Sequence, residues 1–199
     1  MLYGFGRIVF WVFFHAYLKF TVRGVRNIPR SGAFIIASNH RSYLDPPAVG
    51  VACPRNLNYL ARETLFKNKF FRWGLPRVGC IPLKRHAAHF GALKEALKRL
   101  QKGQGLLLFP EGTRRISGEV GRGFEGVGFL ARKSGAPVIP AYVKGTDKAL
   151  PKGVQRVRRA GVEVVFDEPV SYPEDASDAQ ITQEIMKRIA HLRESEGQD

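Results

Sequence analysis

Residues 33–47 read AFIIASNHRSYLDPP, and this stretch decides the fold of the 199-residue chain. A short apolar run ends in polar residues and two prolines, which is typical of a buried strand that leads into a loop. Similar runs predict strands at residues 20–25, 33–38, 58–61, 78–83, 105–109, 137–143 and 162–166. Helical patterns separate most of them, so we predict an α/β fold with a mostly buried, mixed sheet of about seven strands flanked by helices.

Two helices are predicted clearly by the spacing of their apolar residues. Residues 87–102 carry phenylalanine and leucine at helical spacing and are followed by Gly103, a helix-ending residue. Residues 177–192 carry an isoleucine stripe that follows polar capping residues. Because no repeat, low-complexity linker or composition break marks a second domain, residues 21–199 are predicted to form one domain.

The first 20 residues are rich in aromatic and aliphatic side chains. Arg7, His15 and Lys19 interrupt this segment before it reaches the roughly 20 apolar residues of a membrane-spanning helix. No small-residue cleavage site follows, as a signal peptide would require. We predict an amphipathic, membrane-associated helix over residues 1–20. The alternative is a core helix, in which the three cations would be poorly placed.

The charge of the chain points to an anionic partner. With 44% hydrophobic residues the chain is too apolar to be disordered, and its 32 Lys and Arg against 17 Asp and Glu give a net charge of +15. Residues 55–102 hold twelve basic and two acidic residues, which favours a face for anionic lipid, CoA or an acidic carrier protein. A nucleic-acid-binding protein is the remote alternative, but the aromatic residues cluster in the N-terminal segment and do not interleave with the basic ones.

Several common chemistries are excluded by missing patterns. Cys53 and Cys80 lack the spacing of a disulfide framework, a zinc site or a redox pair, so we predict a reducing compartment and no metal. The chain has no Gly-rich dinucleotide fingerprint, no nucleotide P-loop and no Gly-x-Ser-x-Gly elbow, and we predict no cofactor.

His40 and Asp45 form the first candidate catalytic pair, directly after the predicted strand at 33–38. Residues five apart do not share a helical face, so a turn or a helix start must bring them together. A carboxylate bound to one imidazole nitrogen fixes the tautomer and leaves the other nitrogen to accept a proton from a hydroxyl. The alternative is a loop histidine beside an aspartate that caps a helix, and this motif alone leaves both open.

A second group of polar residues, FPEGTRR at 109–115, follows the predicted strand at 105–109. Arg114 and Arg115 can bind a phosphate bidentately, and Glu111 can accept hydrogen bonds from glycerol hydroxyls. The motif therefore suits a phosphorylated polyol. The alternative is a surface turn with a Glu–Arg ion pair.

Four motifs in order resemble the glycerolipid acyltransferase family, over about residues 20–192. They are NHRSYLD (39–45), GCIPLKR (79–85), FPEGTR (109–114) and VIPAYVKG (138–145). Asn39 and the Glu-Gly-Thr of the third motif are similar to the bacterial 1-acylglycerol-3-phosphate acyltransferases. The chain departs from the family at Pro82 and Lys84, where Phe and Asp are frequent, and at Phe124-Glu125, where a Lys is frequent.

The resemblance implies direct acyl transfer. His40, oriented by Asp45, would remove the proton of the sn-2 hydroxyl of 1-acylglycerol-3-phosphate (lysophosphatidic acid), and the oxygen would attack the thioester of acyl-CoA or acyl carrier protein to form phosphatidic acid. The scheme needs neither a metal nor a covalent acyl-enzyme, and Ser42 and Cys53 stay open as nucleophiles. The implied substrate-binding residues are Arg85, Glu111, Gly112, Thr113 and Arg114.

The resemblance also implies a place for the protein, peripheral or monotopic at the cytoplasmic face of the cell membrane, with an anionic membrane surface and no nucleic acid as partner. The nearest alternative is an acyltransferase of the same fold that acts on glycerol 3-phosphate, a lysophospholipid or a lyso-ornithine lipid.

Overall fold

The computed structural model describes residues 2–83, 89–114, 121 and 123–195, in which strands and helices alternate. The strands are β1 (Lys19–Arg23), β2 (Phe34–Ser38), β3 (Leu57–Arg62), β4 (Cys80–Leu83), β5 (Gly105–Leu108), β6 (Val138–Lys144) and β7 (Gly161–Phe166). The helices are α1 (Leu2–Tyr17), α2 (Asp45–Ala52), α3 (Lys69–Arg77), α4 (His89–Gln101), α5 (Gly126–Ser134), α6 (Thr146–Ala149) and α7 (Asp178–Ser195). Two 3-10 turns cover Val25–Asn27 and Glu63–Lys67.

The strands form one mixed sheet in the order β1-β7-β6-β2-β5-β3-β4. Every neighbouring pair is parallel except β6 and β7, which run antiparallel. All residues of β2 and β5, at the centre, are buried. This burial explains their continuous apolar sequences, because a strand covered on both faces has no polar side. The predicted α/β fold with a mixed sheet of about seven strands is confirmed.

The helices cover both faces of the sheet. The connections β2–α2–β3 and β3–α3–β4 step across the sheet in one direction. Because crossovers between parallel strands are right-handed in nearly all proteins, α3 is expected on the face that α2 covers. Phe14 of α1 and Val49 of α2 share a core with Ile36 of β2, so α1 lies on that face too. The chain then steps back through α4 and α5, which cover the opposite face with α7 around Ile35.

Two predicted strand ends are displaced by two residues, and glycine explains both differences. The strand predicted at 20–25 ends at Arg23, because Gly24 has a φ of 73° and starts a 3-10 turn. The strand predicted at 78–83 begins at Cys80, after Gly79 with a φ of 85°. The helix predicted at 87–102 is α4, and the first of its predicted residues lie outside the described ones. The division into residues 1–20 and 21–199 stays a prediction.

Helix α1 packs one side on the core and exposes the other. Phe14 is fully buried, and Arg7 donates a hydrogen bond to the carbonyl of Pro54 (3.2 Å). On the outer side, Phe5 and Ile8 are 66% and 65% exposed. Among the described helices, none combines the length and the apolar character needed to cross a membrane. The predicted N-terminal helix is present over Leu2–Tyr17, but it ends before residue 20, because Lys19 and Phe20 belong to β1. Its contact with a membrane stays a prediction.

Candidate active site

The polar motifs meet at one edge of the sheet. Strands β2, β5 and β6 are parallel neighbours, and the first, third and fourth motifs extend past their carboxyl ends. In sheets of this kind ligands bind beyond the carboxyl ends of the strands. Residues 90 or more positions apart in sequence are therefore brought within bonding distance.

Asn39 marks the point where the chain leaves the sheet. Its Nδ2 donates to the carbonyl of Val143 (2.9 Å), and its Oδ1 accepts from the Val143 N–H (2.7 Å). The side-chain amide thus continues the pairing of β2 with β6 beyond Ser38. The backbone of His40 is free to turn away from the strand direction.

The His40 imidazole and the Asp45 carboxylate are hydrogen-bonded. Nδ1 of His40 lies 2.8 Å from Oδ2 of Asp45, and the ring stacks on Phe109 with centroids 4.2 Å apart. Asp45 is fully buried and is the first residue of α2, so a helix start brings the two side chains together. The His40 side chain is 18% exposed. With Nδ1 engaged, Nε2 is the nitrogen that remains for a substrate proton.

Four donors hold the Asp45 carboxylate. Besides His40, Oδ2 accepts from the backbone N–H of Arg41 (2.6 Å) and of Ser42 (2.7 Å). Oδ1 accepts from the hydroxyl of the buried Thr146 (2.5 Å). A buried carboxylate needs such donors, because an unpaired oxygen there is costly. Asp45 therefore both shapes the turn after β2 and orients the imidazole.

The segment after β6 supports this turn and was missed by the sequence analysis. In addition to the Thr146 bond, Arg41 pairs with Asp147 (2.7 Å), and the Ser42 hydroxyl donates to the Leu150 carbonyl (2.9 Å). A Cβ atom at Gly145, where φ is 83°, would clash with the carbonyl oxygen of Gly161. The only signal in the sequence was a Gly-Thr pair directly after a predicted strand.

Glu111 ties the third motif to the first. Its Oε2 accepts from the His40 N–H (2.9 Å), and its Oε1 accepts from the Gly121 N–H (2.9 Å). The side chain is buried, which does not fit the surface-turn alternative. Glu111 therefore fixes the backbone from which the imidazole projects. Its predicted contact with a glycerol hydroxyl stays a prediction.

The residues that follow Glu111 in the third motif lie nearer the surface. Gly112 and Thr113 are exposed, and Gly112 has a φ of 65° with the Phe124 ring 2.6 Å from the position of an added Cβ. The guanidinium of Arg114 lies 3.5 Å from the centroid of the Tyr43 ring. A cation stacked in this way is held at the mouth of the site while its N–H groups stay available.

Two predicted anion-binding residues, Arg85 and Arg115, lie outside the described residues.

The two candidate nucleophiles have surroundings that argue against a covalent acyl-enzyme. Ser42 is buried, and its hydroxyl donates to the Leu150 carbonyl. Cys53 is buried after the last turn of α2, which separates it from Asp45 by roughly 12 Å along the helix axis. Burial raises the pKa of the Cys53 thiol and raises that of Cys80 to about 11, which disfavours the reactive thiolates.

Proteins of similar sequence are acyltransferases by name. A family model described as Acyltransferase matches residues 19–144. The 1-acyl-sn-glycerol-3-phosphate acyltransferase of Bacillus subtilis is 26% identical over 173 residues, which are 83% of this chain and 84% of that protein. The chloroplastic 1-acyl-sn-glycerol-3-phosphate acyltransferase BAT2 of Brassica napus is 29% identical over 160 residues, which are 78% of this chain and 46% of that protein.

A relative of known structure shares the fold of this chain, whereas the plant relative differs from it in length. The chain spans about half the length of the plant relative. A crystal structure of the 1-acyl-sn-glycerophosphate (LPA) acyltransferase PlsC from Thermotoga maritima superposes with a TM-score of 0.78 and 28% sequence identity. The superposition covers 96% of this chain and 78% of that one.

Proposed function

The chain belongs to the acyltransferase family, and we propose that it transfers a fatty acyl chain from a thioester to the sn-2 hydroxyl of 1-acylglycerol-3-phosphate. The observation that carries the proposal is the His40–Asp45 pair, whose buried carboxylate leaves one imidazole nitrogen for an acceptor hydroxyl. The acceptor is taken from the relatives, which are named 1-acyl-sn-glycerol-3-phosphate acyltransferases. The product is phosphatidic acid.

In the proposed reaction His40 acts as a general base and then as a general acid. Nε2 takes the proton of the acceptor hydroxyl as its oxygen attacks the thioester carbonyl carbon. The tetrahedral intermediate collapses with cleavage of the C–S bond, and the imidazolium returns the proton to the leaving thiolate. Asp45 stabilises the imidazolium between the two steps. Base catalysis by a positioned group of this kind contributes roughly 10²- to 10⁴-fold.

Arg114 would bind the acceptor phosphate. Its guanidinium is oriented by the Tyr43 ring at the open side of the site, and Arg85 would be a second phosphate ligand. Gly112 and Thr113 would contact the acceptor from the same exposed turn. A bidentate guanidinium suits a phosphomonoester because its N–H groups match two phosphate oxygens.

The acceptor is a lipid, so the enzyme has to work at a membrane surface. The exposed apolar side of α1 and the net charge of +15 support peripheral attachment to an anionic bilayer at the cytoplasmic face. The donor is acyl-CoA or acyl carrier protein, since both present an acyl thioester beside negative charge.

The test is acyl transfer by the purified full chain in detergent micelles. Long-chain acyl-CoA and acyl-loaded acyl carrier protein are compared as donors, with 1-acylglycerol-3-phosphate, glycerol 3-phosphate, a lysophospholipid and a lyso-ornithine lipid as acceptors. We expect phosphatidic acid from the first acceptor, a loss of at least about 100-fold in His40→Ala, and normal turnover in the control His191→Ala. His191 is an exposed histidine of α7.

Activity that survives in His40→Ala would remove the histidine from its role. Transfer only to glycerol 3-phosphate, a lysophospholipid or a lyso-ornithine lipid would keep the chemistry and replace the acceptor. Silence with every donor and acceptor would overturn the proposed function.

A further inference from the structure

We propose that helix α3 is a second membrane-docking element, which binds an anionic bilayer surface together with α1. The inference rests on the proposed function only in that a lipid acceptor brings the protein to a membrane. The argument itself concerns the surface of α3 and its place on the molecule.

Helix α3 exposes large aromatic side chains. Phe70 is 73% exposed and Trp73 is 50% exposed, and Phe71 beside them is also exposed. Phe70, Trp73 and Arg77 follow a spacing of three and four residues, so they lie on one side of the helix. Such a cluster of exposed aromatic rings is typical of a surface that another body covers.

Cations lie in and beside this helix in sequence, and the nearest acid on its N-terminal side is Glu63. Lys67, Lys69, Arg72 and Arg77 lie in or beside α3, and residues 64–94 contain neither aspartate nor glutamate. Aromatic rings at headgroup depth with lysine and arginine beside them are typical of helices that lie in the interface of an anionic membrane. The charge therefore favours a bilayer that carries acidic headgroups.

The helix is held in shape, so the rings are not exposed by fraying. Oδ1 of Asn68 accepts from the N–H of Phe70 (2.9 Å) and of Phe71 (3.4 Å), which caps the first turn. At the other end, Arg77 donates to the Trp73 carbonyl (2.6 Å), and its guanidinium lies 4.7 Å from the centre of the Trp73 ring. The aromatic surface is therefore a stable feature of the fold.

The strand order and the usual right-handed crossover indicate that α3 lies on the same face of the sheet as α1. Both the β2–α2–β3 and β3–α3–β4 crossovers step in the same direction, and α1 packs beside α2 in the core of that face. Phe5 and Ile8 of α1 are exposed there as well. A flat, extended partner such as a bilayer can cover both helices at once.

The test compares vesicle binding by the full chain and by two variants. The vesicles contain equal parts of phosphatidylglycerol and phosphatidylcholine. We expect Phe70→Ser with Trp73→Ser to weaken binding about tenfold, because two interfacial aromatic anchors are lost. The matched control is Phe90→Ser, since Phe90 is 82% exposed but belongs to α4 on the opposite face. Circular dichroism melting of each variant checks that it folds.

Fluorescence reports on α3 directly, because the chain has only two tryptophans. In the variant Trp11→Phe, Trp73 is the single tryptophan and can be excited selectively at the red edge of the absorption band. We expect its emission to shift to the blue when vesicles are added and to be quenched by brominated lipid. Emission from Trp73 that vesicles leave unchanged would overturn the inference.

Two further outcomes would also overturn it. Equal loss of binding in the α3 variant and in Phe90→Ser would show that the effect is not specific to this face. Unchanged vesicle binding with a changed oligomeric state in sedimentation velocity would assign α3 to contacts between copies of the chain.

Turnover in detergent micelles separates this inference from the proposed function. We expect the α3 variant to keep its micellar kcat and to lose activity only on vesicles. If the wild-type chain shows no acyl transfer while Trp73 in the Trp11→Phe variant still responds to vesicles, the proposed function is refuted and the docking surface on α3 is supported.

Discussion

Asp45 is fully buried and its two carboxylate oxygens accept from four donors, whereas Phe70 is 73% exposed at the surface of a short helix. The active site around Asp45 and the exposed surface of α3 have different physical requirements. Proton transfer depends on a few atoms held within a few tenths of an ångström, and each hydrogen bond to Asp45 fixes one of them. A bilayer surface is fluid, so a docking helix depends on total apolar area and charge. A single isosteric substitution is therefore expected to lower turnover strongly at Asp45 and to change membrane binding only weakly at α3.

The largest effect is expected from Asp45→Asn, a change in the buried region. The amide keeps the size of the carboxylate, but one of its two terminal atoms cannot accept the hydrogen bonds that Asp45 receives. We expect kcat for acyl transfer to fall by at least about 100-fold, because the imidazole loses its orientation and the imidazolium its counter-charge. Vesicle binding should stay unchanged.

The control for this variant is Asp175→Asn, which changes an exposed carboxylate. A kcat for Asp45→Asn within a few-fold of wild type would show that the His40–Asp45 bond is structural only.

A smaller effect is expected at Thr146, which acts through Asp45. Thr146→Val keeps the shape of the side chain and removes the donor to Oδ1 of Asp45. A hydrogen bond to a charged group contributes about 1.5–3 kcal/mol. Because Thr146 acts on the imidazole only through Asp45, we expect the lower end of this range, a fall in kcat of roughly tenfold with an unchanged KM. Thr146→Ser keeps the hydroxyl and should restore most of the activity. Equal kcat values in the two variants would argue against a role for the hydroxyl.

The smallest effect is expected at Tyr43, a surface residue that contacts a predicted substrate-binding residue. The ring is exposed, yet it holds the Arg114 guanidinium at 3.5 Å. An exposed cation–π contact contributes about 0.5–1 kcal/mol, so Tyr43→Leu should raise KM for 1-acylglycerol-3-phosphate roughly two- to fivefold. Tyr43→Phe keeps the ring and should match wild type. A change in kcat with KM constant would contradict phosphate binding by Arg114.

The same contrast explains which parts of the fold the sequence predicts. Strands such as β2 and β5 are buried on both faces, so their apolar runs stand out without knowledge of their neighbours. Helix α3 was missed because it has no buried residue, and its exposed rings break the pattern of one apolar side facing the core.

The site divides in a similar way. His40 and Asp45 were predicted from residue type and from their place after a strand, since both follow the end of β2 within seven residues. The bond from Thr146 to Asp45 spans 101 positions and exists only because β6 lies beside β2. The backbone contacts of Glu111 likewise depend on how two loops meet, which local sequence does not report.

The side-chain amide of Asn39 determines where strand β2 ends. The amide binds both the N–H and the carbonyl of Val143. The backbone of β2 can therefore leave the sheet after Ser38 while the hydrogen bonding to β6 continues for one more residue. Aspartate has no donor for that carbonyl, and the amide of glutamine is one methylene farther from the backbone. Successive residues of a strand point to opposite faces, so a stop displaced by one position would turn the imidazole to the wrong side of the sheet. The Asn39 side chain therefore determines the residue at which β2 ends, and with it the side of the sheet to which His40 points.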